Sequence, residues 1–236
     1  MKTVQMTSQN ERYVMLDFLR GLAVLLMIFY HSAVDLNGFR LIKIDLLGNP
    51  FWYGLPRFIV FLFLVCVGMA LSIVHKNGIK WDLVRRRLYK IGGWAVAISL
   101  ITYILFPKNF VFFGALHCIA VTSVVGVFLV NKPRLSLLLC LVLVIPDLIF
   151  RPVLLPISRL LDVTPFDYVP FYPWIGIVLL GIYFEYINFH KIRLQRNSII
   201  TALTTMGKHS LKIYLIHRPI LLGMFFFLYK LKTSSG

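Results

Sequence analysis

The sequence predicts an all-α bundle of membrane-spanning helices, on three observations. Hydrophobic residues make up 59% of the 236-residue chain and charged residues 14%, with a mean hydropathy of +0.82; a water-soluble domain of this length carries far more charge. Apolar runs long enough to cross a hydrocarbon core of ~30 Å recur from end to end. Between them, basic residues collect in alternate connections, as the positive-inside rule requires of a multi-pass protein. That pattern also argues against nucleic acid as the reason for the net charge of +16, because the cations are interleaved with runs too apolar to form a water-facing patch. Cys66, Cys118 and Cys140 sit in apolar runs without paired spacing, so neither a disulfide framework nor a metal site is expected.

Seven spans are predicted within one membrane domain, 1–236. After the polar residues 1–12, expected to be short and mobile, the first span covers 13–34. It is long, contains Asp17 and Arg20 and lacks a small-residue exit, so it is not expected to be a cleaved signal. Residues 35–50 carry Gly, Asn and Pro and predict a loop or interfacial turn. The second span, 52–74, opens on Trp52 and Tyr53 as an aromatic belt and holds Arg57 beside Pro56. The stretch KNGIKWDLVRRRLYK (76–90) is predicted as a basic loop, the third span as 91–106 ending at Pro107, and the fourth as 110–130 with His117 inside. A turn at NKPR leads into the fifth span, 135–150. The longest connection, 151–170, carries Arg151, Arg159, Asp162 and Asp167. The sixth span, 171–187, ends near Glu185; the basic connection 188–208 is expected to include a short helix over NSIITALTTM; the seventh span, 209–229, contains Lys212, His217 and Arg218.

Charge orients the bundle. With the N-terminus cytoplasmic, fourteen Lys and Arg fall in inside segments, seven in outside segments and four (Arg20, Arg57, Lys212, Arg218) within spans. The excess predicts an N-inside, C-outside protein, multi-pass in the plasma (inner) membrane. No internal repeat is evident, and seven spans do not divide into the paired halves of secondary transporters.

The first span carries the strongest functional signal. At ~100° per residue, Arg20 and His31 fall within ~20° of the same face, and Asp17 and Asp35 are five full turns apart. Asp17, Arg20, His31 and Asp35 therefore form one polar stripe on an apolar helix, which is by default a functional site. His31 and Asp35 have the i, i+4 spacing by which a carboxylate orients an imidazole for general-base chemistry. His117 is a second catalytic candidate, Arg57 a substrate-binding one, and the His217–Arg218 pair suits an anion such as a phosphate. His75, His190 and His209 adjoin basic loops and are expected to be solvated. No Walker-type or dinucleotide glycine pattern occurs. Two other functions fit the same residues: a non-enzymatic carrier or binding protein for a small anionic or lipid-linked solute, and a structural partner in a larger envelope complex.

Four stretches carry a family resemblance. LDFLRGLAVLLMIFYH (16–31), FGALHCIAV (113–121), FYPWIGIVLLGIY (171–183) and MGKHSLKIYLIHRPIL (206–221) occur in order over nearly the whole chain. Together they resemble the heparan-alpha-glucosaminide N-acetyltransferase catalytic-domain-like membrane proteins, most closely their small prokaryotic members, and the first resembles the wider membrane acyltransferases. The resemblance implies an enzyme that uses cytosolic acetyl-CoA to acylate an amine or hydroxyl of a sugar or envelope glycan on the opposite face. It has membrane lipids around it, and a homodimer is compatible with it. In this scheme His31 is the general base or transient acyl carrier and Asp35 orients it; His117 and Arg57 line the site. Asp17, Arg20, His217 and Arg218 position the acetyl-CoA donor or stabilise the oxyanion. Lysosomal members place their key histidine in the first extracytoplasmic loop. Here no histidine lies between His31 and His75, and the nearest loop segment is GNPFWYG (48–54), so His31 stands in for it.

Overall fold

The computed structural model describes residues 13–46, 48–150, 167–195 and 197–234. The expectations for 1–12 and for Arg151, Arg159 and Asp162 lie outside the described residues. Among those described, all regular structure is helical: α1 (Val14–Gly38), α2 (Pro50–His75), α3 (Trp81–Leu105), α4 (Ala115–Gly126), α5 (Pro133–Phe150), α6 (Phe171–Tyr186), α7 (Ser198–Lys208) and α8 (Ser210–Ser234), with 3-10 turns at Val127–Leu129 and Phe189–Lys191. Four helices are long and apolar enough to cross a membrane, namely α1, α2, α3 and α8; α4 with its 3-10 extension and α6 are shorter apolar helices.

Several boundaries differ from expectation, each for a local reason. The basic stretch predicted as a loop is helical from Trp81 onward. Charge ends the apolar run there but does not end the helix: Asp82 sits in the positive first turn and pairs with Arg85 one turn on. The fourth helix starts at Ala115 rather than 110, because Gly114 is extended and the Asp167 carboxylate accepts the Ala115 N–H at 2.9 Å. A Cβ on Gly114 would come within 2.6 Å of that carboxylate, so the close approach needs glycine. The short helix expected in the 188–208 connection is α7, capped by the Asn197 side chain, which accepts from the Ile200 N–H at 2.8 Å.

The chain divides into two compact units, Met1–Phe63 with His190–Gly236 and Leu64–Phe189, the division falling inside α2. In the first unit, α1 is the central element. The start of α2 runs antiparallel to it, with Phe29 stacked on Trp52 at 5.6 Å and Met27 packed on Leu55 and Ile59. α7 is also antiparallel, since Gly21 lies against the Leu203 backbone and Gly207 against that of Asp17. α8 runs in the same direction as α1: His217 meets His31, and further along Phe226 and Tyr229 meet Phe39.

In the second unit the end of α2 and α6 are parallel, with Gly68 on the Val178 carbonyl, Gly181 on the Val65 carbonyl and Ser72 on Glu185. α4 runs the same way, Cys118 lying near Pro170 and Gly126 near Val178 and Ile182. α3 is antiparallel to α4, since Trp81 meets Phe128 at one end while Ser99 meets Val111 and His117 further along.

Glycine at the crossings lets backbones touch, which is how helices pack where hydrophobic segregation from lipid supplies no force. A Cβ on Gly21, Gly68, Gly181 or Gly207 would overlap a backbone carbonyl of the facing helix. Gly21→Ala and Gly181→Ala are each expected to destabilise the protein by about 1–3 kcal/mol, because the helices must separate. Gly93→Ala, with open space around the position, should be neutral or stabilise by up to ~1 kcal/mol. Thermal unfolding in detergent micelles compares the three.

Candidate functional site

The polar stripe on α1 is the face that α7 and α8 cover, one at each end. At the first end Asp17 is buried and pairs with Arg20 at 3.7 Å, while α7 crosses the backbone beside it. At the second end α8 delivers His217 and Arg218 to His31 and Asp35, with Tyr214 against His217. The Nη1 of Arg218 donates to both Asp35 oxygens, at 2.8 and 2.9 Å, and lies 3.5 Å from His31 Nδ1. The His31 and His217 rings are 5.1 Å apart between centroids. Asp35 is 5% exposed and His217 6%, whereas the Arg218 side chain keeps 34% of its surface. The cluster is thus closed on the protein side and open at the guanidinium.

Hydrogen bonding decides where the ring protons sit. His217 Nδ1 is 2.6 Å from the Tyr214 carbonyl oxygen, which only accepts, so Nδ1 carries the proton and Nε2 the lone pair. That Nε2 is buried and has no hydrogen-bond partner. A guanidinium only donates, so His31 turns the lone pair of Nδ1 towards Arg218 and keeps its proton on Nε2.

This geometry revises the roles expected at this end of α1. Asp35 does not orient His31 directly: among the described residues no hydrogen bond joins them, and the carboxylate is taken by Arg218. A carboxylate buried in an apolar helix is held best by an opposite charge with charge-assisted hydrogen bonds, which a neutral imidazole one turn away cannot match. His217 and Arg218, expected with Asp17 and Arg20 to position the donor or stabilise the oxyanion, lie beside His31 and Asp35, at the other end of α1 from the Asp17–Arg20 pair. Arg57 lies on an exposed face, its guanidinium 3.6 Å from the Tyr53 ring centroid and bonded to the Tyr53 carbonyl at 2.6 Å.

His117 belongs to the second unit. Its Nε2 is 3.4 Å from Ser99 Oγ, which itself donates to the Val111 carbonyl, and its ring lies against Phe113. In the same unit Glu185 is 6% exposed and accepts from Ser72 Oγ at 2.8 Å and Lys76 Nζ at 3.3 Å. His75 and His190 are buried rather than solvated. The Lys80 N–H donates to His75 Nδ1 at 3.1 Å, and His190 meets the edge of Tyr13. Flanking basic residues signalled water at these positions, but each histidine is folded back onto the helix ends. Tyr214, Ser99 and Ser72 were not singled out from sequence. Tyr214 alone left a signal there, three residues before His217 and so on the same helical face. Among the described residues no group of three or more His, Cys, Asp or Glu is placed to hold a metal ion, and the three cysteines are buried and form no disulfide.

An all-helical fold with four helices of membrane-crossing length, and a His–Arg–Asp–His cluster buried between its first and last helices, defines a membrane protein with a polar site inside its span. The sequence model described as heparan-alpha-glucosaminide N-acetyltransferase, catalytic, matches residues 12–219, and the chain belongs to that family, a family of membrane acetyltransferases. No curated protein and no solved structure matches the chain.

Removing one partner of the Asp35–Arg218 pair leaves the other charge uncompensated. Arg218→Met, which strands the buried Asp35 carboxylate, is expected to cost about 3 kcal/mol, while Arg218→Met combined with Asp35→Ala should recover most of that loss. A double-mutant cycle on unfolding midpoints checks it.

Proposed function

We propose that the protein is an acyl-CoA-dependent membrane acetyltransferase that acylates an amine or hydroxyl of a sugar or envelope glycan. The observation that carries this is the cluster on α1 and α8. It holds a cation with outward-facing N–H groups beside two imidazoles, one of them with a buried, unpartnered lone pair. Acyl transfer needs these parts: a donor to stabilise the oxyanion that forms on the thioester carbonyl, and a base to take the proton of the attacking group. Arg218 supplies the first through the N–H groups that Asp35 leaves unused. Family membership supports the acetyl donor.

The chain crosses the membrane seven times with its N-terminus in the cytoplasm. The charge asymmetry of the connections supports this, and so does helix direction. Within the first unit the first and last helices run parallel, as an odd number of crossings requires; within the second, α2, α4 and α6 share one direction, as alternate spans do. In that orientation His31, ~26 Å along α1 from its start, lies in the outer half of the membrane, on the acceptor's side.

Purified protein in nanodiscs, given radiolabelled acetyl-CoA and an amino sugar, tests the function. Wild type should transfer label, and Arg218→Lys, which loses the planar fork of donors, should lower kcat by about 10²–10³-fold. Full transfer by both Arg218→Lys and His31→Ala would contradict this assignment. Acetyl-CoA at a hundredfold over its Kd should also stabilise the fold by about 2.7 kcal/mol in a thermal shift, with ADP giving less. Saturable uptake of an anionic solute into proteoliposomes, without transfer, would favour a carrier.

A further inference from the structure

The sequence pointed to His31 as the general base; the structure assigns that role to His217, with His31 as the positioning donor beside it. This rests on the acetyl-transfer function proposed above. A general base needs a lone pair that is not already engaged by the protein. His31 fails this requirement, because its Nδ1 lone pair faces the Arg218 guanidinium at 3.5 Å. His217 meets it. Its Nδ1–H is anchored on the Tyr214 carbonyl at 2.6 Å, which fixes both tautomer and ring orientation, and its Nε2 is a buried atom that no protein group satisfies. Buried polar atoms are nearly always paired, so an imidazole nitrogen left open in a side chain 6% exposed suits a partner that arrives with the substrate; His117 Nδ1 is likewise unpartnered, but it stands beside Ser99 and Phe113 rather than a second imidazole. The neighbouring groups fit that partner. The His31 ring is 5.1 Å from that of His217, and Arg218, bound to Asp35 and 3.5 Å from His31, keeps a third of its side chain exposed.

The step balances as follows. The acceptor's nitrogen or oxygen attacks the carbonyl carbon of an acyl thioester, and a C–N or C–O bond forms. The proton leaving the nucleophile goes to His217 Nε2. Collapse of the tetrahedral intermediate breaks the C–S bond, and the same proton passes from Nε2 to the leaving sulfur, giving the free thiol and neutral His217.

His217→Asn separates the base from the scaffold. The Asn amide N–H occupies the place of Nδ1–H and can still donate to the Tyr214 carbonyl, but nothing replaces the Nε2 lone pair. With an amino sugar or a sugar hydroxyl as acceptor, kcat should fall by about 10²–10⁴-fold while the KM for acetyl-CoA stays within a few-fold. A thermal shift on adding acetyl-CoA should be as large for His217→Asn as for wild type, which shows that the variant is folded and binds donor. Exogenous imidazole should restore sugar acylation to His217→Ala. If His217→Asn acylates the sugar as fast as an active wild type, the assignment is overturned and the acetyltransferase function stands. If wild type acylates no sugar, the function itself fails, and this assignment fails with it.

Discussion

The arrangement of the candidate site depends on one ion pair, Arg218 with Asp35. A carboxylate that is 5% exposed on an apolar helix is costly unless a cation meets it, and here one guanidinium nitrogen meets both of its oxygens. That requirement sets the rotation and height of α8 against α1. With Arg218 held at Asp35, the preceding residue, His217, is carried onto His31 and its own Nδ1–H is left facing the Tyr214 carbonyl. The tautomers of both imidazoles then follow from what surrounds them: an oxygen that only accepts on one side, a guanidinium that only donates on the other.

The charge pair acts within helices already brought close by glycine. Gly21 and Gly207 let α1 and α7 touch backbone to backbone at the end of the stripe where Asp17 and Arg20 pair, and Gly68 and Gly181 do the same for α2 and α6. Such contacts derive their strength from dispersion and complementary shape, which fade with a few tenths of an ångström of separation. The second unit repeats the principle seen at Asp35, since its buried Glu185 is met by Ser72 and Lys76.

Charge in this protein has two uses that composition alone does not separate. Many of the 25 Lys and Arg lie in connections or, like Arg85, Arg86, Arg87 and Lys90, near the start of a helix. Of those inside the apolar stretches, Arg218 and Arg20 are held by carboxylates while Arg57 is stacked on Tyr53. Arg218 differs in lying beside an imidazole, His31, while keeping a third of its side chain exposed.

The sequence by itself determined the helical class, the membrane setting, the family and the stripe on α1. These are local or compositional properties: apolar runs, a 3.6-residue period and motifs that a chain shows without being folded. Helix ends were legible only where apolar character and helix coincide. They were missed at Trp81, where charge follows the lipid boundary and not the hydrogen-bond ladder, and at Ala115, where a carboxylate 52 residues away caps the helix. His31 and Asp35 were legible as neighbours because they share one helix. Only the tertiary structure decided that Asp35 belongs to Arg218, which lies 183 residues along the chain, and that the available lone pair is on His217. A tautomer and an ion pair are set by which groups meet across helices, and one-dimensional spacing carries no information about such meetings.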